Sequence, residues 1–467
     1  MLTDSIRMGR FSMIGNEKLL VNSWQILKFS ECIKQLNTGL NPRNHFSLGH
    51  GSLKYITAKN LTQFGTIDFS KCDFVDEQAK RVIHRRSDIQ VGDILFSSRA
   101  PIGHCHLICE KPDDYDIGES IFSIRVNRKV ILPDYLCLYM ASDYFVRMAT
   151  LHTTGSIIQE IRIGDLMDTD VILPPMNVQR QIAECFKKID RKIALNNKVN
   201  DNLAQQLRLL YDYWFTQFDF PDENGKPYRS SGGQMVWNDD AKKVVPIGWN
   251  CAKMSNAIED IRTGLNPRDN FKLGNGTIRY ITVKNLRSDG ILDFSGCDTI
   301  DEIARAIVHR RSDVRTGDIL FASIAPLGRC HLVQEPPQDW DINESVFSIR
   351  CNKATVTPEY LYMHLQSEAF VKESTACSTG SVFKGIRINT LLDSRMLLPP
   401  MQVVEKFSQQ AKPLLFLQYK LNKETQALTQ LRDWLLPMLM NGQATISDEV
   451  AKLSFGVEQG NSYQRRE

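Results

Sequence analysis

Two kinds of hydrophobic pattern alternate along this chain. The first kind consists of short β-branched or aromatic runs bounded by Gly, Pro, Asp or Asn, at Leu53–Thr57, Gly92–Phe96, His106–Cys109 and Ile121–Val126. Runs of this length and composition predict β-strands. From Pro133 to Thr150 the apolar residues instead follow helical spacing, and Pro133 suits a first helical turn. This part of the chain is therefore predicted to be a mixed α+β domain.

The second kind of pattern is a long helical seam. Apolar residues alternate by three and four positions through Ile182, Phe186, Ile189, Ile193, Leu203, Leu207, Leu210 and Trp214, with Asn196 and Asn200 at the two steps between. A second seam contains Val403, Phe407, Leu414, Leu417, Leu421, Leu428, Leu431 and Leu435, interrupted by Gln410 and Glu424. Such spacing predicts coiled-coil helices, in which buried asparagines can fix the register. Pro413 is expected to break or restart the second helix.

Two helices with matching seams are expected to pack on each other, although two unrelated surface helices would give a similar pattern. The first helix, from Val178 to Phe215, is long enough to span on the order of 55 Å, at about 1.5 Å per residue. That length suits a spacer between two domains.

The chain also repeats itself at a single offset of 225 residues. The sequence TGLNPR at Thr38–Arg43 returns at Thr263–Arg268, and the same offset relates the other matching segments without a gap: YITAKNL with YITVKNL, and both copies of HRRSD, GDILF, CHL, FSIR and LPPM. From Trp24 to Met176 and from Trp249 to Met401, about half of the paired positions are identical, far above chance. The period is too long for a solenoid repeat, so each copy is expected to be a domain.

The predicted fold class is therefore α+β, with two homologous mixed α/β domains separated by long antiparallel coiled-coil helices in a pseudo-two-fold internal repeat. The expected segments are an N-terminal segment (1–23), a first domain (24–176), a central helix (177–218), a polar linker (219–248), a second domain (249–401), a distal helix (402–444) and a weakly ordered tail (445–467). Two copies predict two equivalent binding surfaces.

Composition excludes more functions than it suggests. The formal net charge of +3 gives no general argument for nucleic-acid binding, so any such argument depends on local basic patches. The 11 cysteines are scattered without a C-x-x-C pair, which favours reduced thiols. Because neither a signal-like segment nor a membrane-spanning run of apolar residues is evident, a cytoplasmic protein without membrane contact is expected.

Motifs for chemistry are missing as well. The chain has no glycine-rich cofactor turn with an Asn/Asp-Pro-Pro-aromatic site, as a methyltransferase would need, and no Walker phosphate loop. We therefore expect no catalytic residues, no cofactor and no metal. The repeated pairs Cys105-His106 and Cys330-His331 do not alter this expectation, because neighbours on a strand point to opposite faces. A core cysteine beside a polar histidine is the favoured interpretation.

Polar residues, most of them repeated in both copies, are the candidates for DNA contact. Arginine matches phosphate and guanine geometry, asparagine matches adenine, and glycine turns with hydroxyls approach phosphates closely. The candidates in the first copy are Arg43, Lys59, Asn60, Arg85, Arg86, Arg99, Thr154, Ser156 and Arg162, and those in the second are Arg268, Lys284, Asn285, Arg310, Arg311, Thr379, Ser381 and Arg387. The HRRSD segments resemble phosphate-contacting loops, with solvated basic turns as the alternative.

The order of these motifs resembles that of specificity subunits of type I restriction-modification systems. The shared features are the G-L-N-P turn, the G-D-I-L-F strand followed by A-P-x-G, the T-G-S loop, and L-P-P before a long helix. The helix from Gln179 to Phe215 resembles the central conserved region of that family, and the segment from Leu431 to Pro437 with Asn441-Gly442-Gln443 resembles the distal one. The distal helix departs from the family pattern at Met401–Glu405, where a glutamine-isoleucine start is usual.

The resemblance implies a non-catalytic subunit with two target recognition domains in inverted orientation. Its implied partners are double-stranded DNA, two methyltransferase (M) subunits and endonuclease-translocase (R) subunits. Because the copies are so alike, a bipartite and nearly palindromic DNA site is expected. The halves would diverge where the copies differ, as at Arg99 against Ile324, His104 against Arg329 and Gln159 against Lys384. The alternatives are a protein-binding scaffold with dimerising helices and a self-sufficient nuclease.

Overall fold

The structure is a computed structural model that describes residues 24–43, 45–62, 65–151, 160–376, 385–440 and 442. Contacts divide the chain into two compact units. Unit 1 comprises Met1–Lys192 with Ala427–Glu467, and unit 2 comprises Ile193–Gln426. Each unit thus contains one copy of the repeat and a part of both long helices. The segment boundaries expected from the sequence stay predictions.

The first copy is a mixed α+β domain in unit 1. Its strands are β1 (Gln25–Lys28), β2 (Ile33–Thr38), β3 (Leu53–Ile56), β4 (Asp73–Val75), β5 (Ile94–Ser97), β6 (Cys105–Leu107), β7 (Tyr115–Ile117), β8 (Ile121–Val126) and β9 (Asp170–Leu173). Its helices are α1 (Phe29–Cys32), α2 (Glu77–Ser87), α3 (Pro133–Met140), α4 (Asp143–Thr150) and α5 (Ile163–Met167).

These strands form three small sheets. A four-stranded antiparallel sheet has the order β2-β8-β5-β6, and a three-stranded sheet has the order β4-β3-β7, with β3 and β7 parallel. Strands β1 and β9 pair separately. Every residue of β5 is buried, since β5 lies between two neighbours and its apolar side chains fill the space on both faces.

The four strands that the sequence pattern predicted lie within about two residues of β3, β5, β6 and β8, as is usual for element boundaries. The predicted helix from Pro133 to Thr150 is instead two helices. Ser142 separates them, because its hydroxyl accepts a hydrogen bond from the Phe145 N–H and so caps the start of α4. The apolar spacing continues across this break, which is why the pattern alone gave one helix.

The second copy forms the corresponding elements in unit 2, except that a 3-10 helix at Met254–Asn256 takes the place of α1. Its strands are β12 (Asn250–Lys253), β13 (Ile258–Thr263), β14 (Ile278–Ile281), β15 (Asp298–Ile300), β16 (Ile319–Ala322), β17 (Cys330–Leu332), β18 (Trp340–Ile342), β19 (Val346–Cys351) and β20 (Arg395–Leu398). Its helices are α7 (Glu302–Ser312), α8 (Pro358–Gln366), α9 (Glu368–Ala376) and α10 (Ile388–Asp393). The sheet orders β13-β19-β16-β17, β15-β14-β18 and β12-β20 repeat those of the first copy.

A β-hairpin occupies part of the segment that was expected to be a polar linker. Strands β10 (Met235–Asn238) and β11 (Lys243–Pro246) pair antiparallel, and Phe220 stacks on Tyr228 with ring centroids 4.7 Å apart. Phe220 also stacks on the buried Trp249. A few aromatic side chains thus anchor this otherwise polar segment.

The two long helices are α6 (Met176–Tyr211), which continues as a π-helical turn over Asp212–Thr216, and α11 (Met401–Met440). Helix α11 continues through Pro413, so the predicted break there was wrong. Proline removes one helical hydrogen bond, but Phe407, Ala411 and Leu415 on either side are all buried in the core of unit 2. Tertiary packing thus outweighs the local preference.

Within unit 2 the helices run antiparallel. Asn196 of α6 donates to the Glu424 carboxylate of α11 at 2.9 Å, whereas Phe215, past the end of α6, packs on Phe407 near the start of α11. Within unit 1, the Arg432 guanidinium lies 3.2 Å from the Asp190 carboxylate. Asn200 is also buried in the seam, and its amide has no hydrogen-bond partner among the described residues.

Candidate nucleic-acid interface

Several loops of the first copy meet at one end of its sheets. Thr38 ends β2 opposite Phe122, and Ser97 ends β5 opposite Ile121, so the loops after β2 and β5 lie beside the loop that enters β8. The turn after β3 joins them, since the Ala58 N–H donates to the Ser120 hydroxyl at 3.0 Å. We call this surface the strand-end face. It comprises residues 38–43, 57–60, 84–86, 97–101, 118–120 and 160–162, and in the second copy 263–268, 282–285, 309–311, 322–326, 343–345 and 385–387.

A glycine allows the T-G-L-N-P-R turn to approach the sheet. A Cβ atom at Gly39 would lie 2.0 Å from the Ile117 carbonyl oxygen, and one at Gly264 would lie 1.7 Å from that of Ile342. Only glycine fits so close an approach. The turn therefore brings Arg43, and in the second copy Arg268, onto the strand-end face, where both side chains are exposed.

The basic HRRSD segments end helices rather than forming loops. In α2, Asp76 caps the first turn by accepting from the Ala79 N–H, and Asp88 ends the helix in the left-handed conformation with φ of 42°. Cations in the last turn of a helix interact favourably with its dipole. The loop expected for these residues was wrong, because the capping aspartates at both ends fix a helix that a short basic run does not reveal.

The helix ends nevertheless place their arginines at the strand-end face. The Arg86 Nε donates to the Thr38 hydroxyl at 3.0 Å, and the Arg311 Nε donates to the Thr263 hydroxyl at 3.3 Å. Both arginines are exposed, as are their neighbours Arg85 and Arg310. Each copy therefore presents an arginine pair beside its T-G-L-N-P-R turn.

A buried aspartate fixes each of these helix ends to the sheet. Asp116 of β7 accepts from the Ser87 hydroxyl at 2.6 Å and lies 3.1 Å from the His84 Nδ1, and Asp341, Ser312 and His309 repeat this arrangement. Burial raises the pKa of both carboxyls. Because the serine bonds to the aspartate and not to the imidazole, the set provides no activated nucleophile. It anchors α2 and α7.

A second network joins the same helix ends to the four-stranded sheet. Arg125 binds the buried Asp93 through two hydrogen bonds of 2.9 and 2.8 Å, and its guanidinium also donates to the Asp88 carbonyl at 2.7 Å. Arg350, Asp318 and Asp313 form the equivalent network. These residues were not among the candidates predicted from the sequence. The sequence feature that could have indicated them is that Asp93 in G-D-I-L-F and Arg125 in F-S-I-R are identical in the two copies.

Asn60 and Asn285 belong to the framework of the turn. Asn60 is buried, its side-chain oxygen accepts from the Thr57 N–H at 2.9 Å, and its amide nitrogen donates to the Asp68 carbonyl at 3.2 Å. Asn285 makes the same bonds with Thr282 and Asp293. We therefore correct the expectation that these side chains contact bases, because their donor and acceptor groups are already used inside the protein.

Other candidates are exposed on the strand-end face. Lys59 is one of them, 3.8 Å from the Asp73 carboxylate, and Lys284 is its counterpart. Arg162 and Arg387 precede the first turns of α5 and α10 and are exposed too. The remaining candidates, Thr154, Ser156, Thr379 and Ser381, lie outside the described residues.

Arg99 occupies the centre of the face in the first copy. Its guanidinium contacts Glu119 at 2.7 Å and Glu160 at 3.0 Å. Burial acts to raise the pKa of Glu119, but the hydrogen bonds from Arg99 and Asn41 and the nearby charge of Arg43 lower it overall. The structure thus gathers Arg43 and Arg99 around one carboxylate.

The repeated Cys-His pairs lie on β6 and β17, away from any cluster of ligands. The His106 Nδ1 lies 2.6 Å from the Gly65 carbonyl oxygen, and the His331 Nδ1 lies 3.0 Å from that of Gly290. Burial raises the pKa of Cys105. Within the described ranges, no three His, Cys, Asp or Glu side chains are grouped as a metal site would require. In the same ranges, no helix is both long and apolar enough to cross a membrane.

Comparison with known proteins shows which proteins this chain is similar to. Residues 49–205 match the family model of the type I restriction modification DNA specificity domain. The MjaIX specificity subunit of a type I restriction enzyme from Methanocaldococcus jannaschii is 22% identical over 400 residues, covering 85% of this chain and 88% of that protein. The HindI specificity subunit from Haemophilus influenzae is 21% identical over 421 residues, covering 78% and 88%.

A solved structure shows the same fold. The crystal structure of the S subunit of a type I restriction-modification system from M. genitalium superposes with a TM-score of 0.54 and 16% sequence identity, covering 91% of this chain and 98% of that one. The family model, the named relatives and the fold agree with the order of motifs along the chain. Residues 49–205 thus resemble the type I DNA specificity domain, and most of the chain is similar in sequence to specificity subunits of type I restriction enzymes.

Proposed function

We propose that this chain selects a bipartite DNA site for a type I restriction-modification complex, with one strand-end face on each half of the site. The observation that carries the proposal is the recurrence of one set of exposed basic side chains on both faces. The set consists of Arg43, Lys59, Arg85, Arg86 and Arg162 in the first copy, and of Arg268, Lys284, Arg310, Arg311 and Arg387 in the second. Clustered cations that face one way are the electrostatic footprint of a DNA-binding surface.

In this proposal the arginine pairs at the helix ends contact phosphates, and the residues around Arg99 and its counterpart contact base edges. Helix ends held by two buried networks give the phosphate contacts a fixed position, which sets the register of the protein on the duplex. The framework is the same in both copies. The half-sites are therefore expected to be similar and to be read on opposite strands.

The helices are proposed to bind the catalytic partners. Large apolar side chains stay exposed on them, among them Leu195 and Leu209 of α6 and Phe416, Leu417 and Trp434 of α11. Exposed apolar patches mark interaction sites. We assign these patches to methyltransferase subunits, through which endonuclease-translocase subunits join the complex. The chemistry on DNA belongs to these partners, and this chain contributes the choice of site.

The test is methylation mapping by long-read sequencing of DNA from a methylation-free host that expresses this chain with its methyltransferase partner. A bipartite motif with two related, inverted half-sites supports the proposal. Methylation of one short contiguous motif would contradict it, and so would a stable complex that methylates nothing.

Docking has a separate test. Leu209→Glu puts a charge in place of an exposed leucine of α6, and it is expected to abolish co-purification of the methyltransferase subunit while the chain stays folded. Lys198→Glu, which changes an exposed residue of the same helix that is already polar, is the matched control. Unchanged co-purification of the Leu209 variant would exclude this part of α6 as the docking surface.

A further inference from the structure

The two strand-end faces differ in charged side chains at one place, although their frameworks agree. Arg99 corresponds to Ile324, and Glu160 corresponds to Gly385, whereas Glu119 has an identical counterpart in Glu344. The backbone is the same in both copies at this place, because Arg99 forms a β-bridge with Glu160 and Ile324 forms one with Gly385. The difference therefore concerns side chains alone.

In the first copy, two carboxylates hold the arginine. Glu119 contacts the Nη1 of Arg99 at 2.7 Å, and Glu160 contacts its Nε at 3.0 Å. Neither ion pair uses Nη2. About a third of the Arg99 side chain is exposed, at 36%. A guanidinium has five N–H donors in one plane, so this arginine is fixed in orientation and still has donors for another acceptor.

In the second copy, the counterparts of Arg99 and of Glu160, one of its two carboxylates, are uncharged. Ile324 and Gly385 provide no charge, and Glu344 is exposed. Glu344 lies in the place equivalent to that of Glu119. Burial raises the pKa of Tyr55 in the first copy, and the charge of Glu119 raises that pKa further. In the second copy, burial and the charge of Glu344 raise the pKa of Tyr280 in the same way. The second face thus presents a carboxylate acceptor where the first presents guanidinium donors.

We propose that this exchange distinguishes the two half-sites at one base pair: Arg99 selects guanine in the half bound by the first copy, and Glu344 selects cytosine in the half bound by the second. Arginine donors fit the O6 and N7 acceptors of guanine, whereas a carboxylate accepts from the N4 amino group of cytosine. The inference rests on the proposed function. It predicts a target whose halves differ at this position.

The packing around Gly385 decides which copy should be mutated. A Cβ atom at Gly385 would lie 3.0 Å from the Ser323 carbonyl oxygen and 3.3 Å from the Ile324 side chain, so a glutamate at that position would crowd the second copy. The reverse change removes atoms from the first copy and introduces no clash. The informative variant is therefore Arg99→Ile with Glu160→Gly, which gives the first face the side chains of the second.

The experiment is methylation mapping of the wild-type complex and of this double variant in a methylation-free host. The wild type is expected to methylate a bipartite motif with guanine at one position of one half and cytosine at the equivalent position of the other. The double variant is expected to lose the guanine preference by roughly 5- to 150-fold, the range for one bidentate base contact. An unchanged motif in the double variant would overturn the inference.

Two further variants guard against misfolding. Ile324→Arg adds a guanidinium next to Glu344 and is expected to create a guanine preference in the other half. Lys129→Ala also replaces a first-copy residue by its second-copy counterpart, but it lies past the far end of β8 and is expected to leave the motif unchanged. If the double variant assembles no complex, an Ile324→Arg motif identical to the wild-type motif overturns the inference.

The outcomes separate this inference from the proposed function. A bipartite wild-type motif with strictly identical halves would refute the exchange at Arg99 and Glu344 and leave the proposed function intact. A contiguous motif, or no methylation by an assembled complex, would refute both.

Discussion

The two copies of the repeat agree inside and differ at the surface. The Asp116 and Asp93 networks recur in the second copy with the same partners and with hydrogen bonds of nearly the same length. At the strand-end face, by contrast, Arg99 and its two carboxylates have become Ile324, Glu344 and Gly385. Since buried polar groups must stay paired, the interior tolerates little change. The surface is the place where the copies were free to diverge.

The strongest test of the shared interior is the removal of Asp93 or Asp318. Asp93→Ala leaves the Arg125 guanidinium without its main partner, and breaking a buried ion pair typically costs about 3 to 5 kcal/mol. We expect a loss near the lower end, because Arg125 is partly exposed and keeps Asp88. Denaturant unfolding of Asp93→Ala and Asp318→Ala measures the effect in each copy.

The matched control for this test is Asp114→Ala, which removes an exposed ion pair with Lys54. Exposed pairs contribute at most about 1 kcal/mol, so this variant should unfold close to the wild type. A clear inequality between Asp93→Ala and Asp318→Ala would show that the two interiors are not equivalent.

The arginine pairs test whether the two faces contribute equally to DNA binding. Arg85→Ala with Arg86→Ala removes two proposed phosphate contacts, and Arg310→Ala with Arg311→Ala removes their counterparts. Each double variant is expected to bind the duplex on the order of tenfold more weakly, with the slope of log K against log salt reduced by about 2. Fluorescence anisotropy of the assembled complex at several salt concentrations measures both quantities.

For this experiment the control is Lys111→Ala with Lys129→Ala. These exposed lysines lie past the opposite ends of the strands, after β6 and β8, so their loss should leave the salt slope unchanged. Should only one arginine pair affect binding, the two faces would not be equivalent surfaces.

The two buried asparagines of the α6 seam, Asn196 and Asn200, are expected to differ from each other in their effect on stability, and the expected changes are smaller. Asn200→Leu removes a buried amide that lacks a hydrogen-bond partner among the described residues, and we expect it to stabilise unit 2 by about 1 to 2 kcal/mol. Asn196→Leu removes the bond to Glu424 and is expected to destabilise it by about 0.5 to 1 kcal/mol. Thermal unfolding distinguishes the two signs, and a loss of stability in both variants would contradict this assignment.

The smallest expected effect concerns pH. Burial raises the folded-state pKa of Asp116 above its ordinary value of 3.8, so the folded chain holds this proton more tightly than the unfolded chain. The contribution of Asp116 to stability therefore falls as pH rises through the interval between 3.8 and the raised value. Asp116→Asn should flatten the pH dependence of unfolding in that interval, as should Asp341→Asn. Identical pH profiles for wild type and variants would refute the role of these carboxyls.

The sequence predicted the parts of this fold that depend on local pattern. Strands such as Ile121–Val126 and the long seam through Ile182 follow from apolar spacing, and the single offset predicted a second copy of the domain. Contacts between distant residues were not predictable in this way. His84 and Asp116 are 32 positions apart, and only the fold brings them together.

The candidate site was predicted less well, for a related reason. Asparagine suits both a base contact and a turn, and only the bonds of Asn60 to Thr57 and Asp68 show that the turn uses it. The position of Arg86 beside Thr38 likewise depends on how α2 meets β2. Residue type and repetition predicted the candidate residues, but only the structure shows which of their side chains are exposed on the surface.

The division of both long helices between the units has a consequence for synthesis on the ribosome. Unit 2 is a continuous stretch of chain, whereas unit 1 needs Ala427–Met440 as well as the residues up to Lys192. At about 5 to 20 residues per second, the first part of unit 1 waits on the order of 10 to 50 seconds for its last helix. The first copy is thus synthesised first, but its unit is completed last. The apolar seam around Phe186 must not aggregate before Ala427–Met440 has been synthesised.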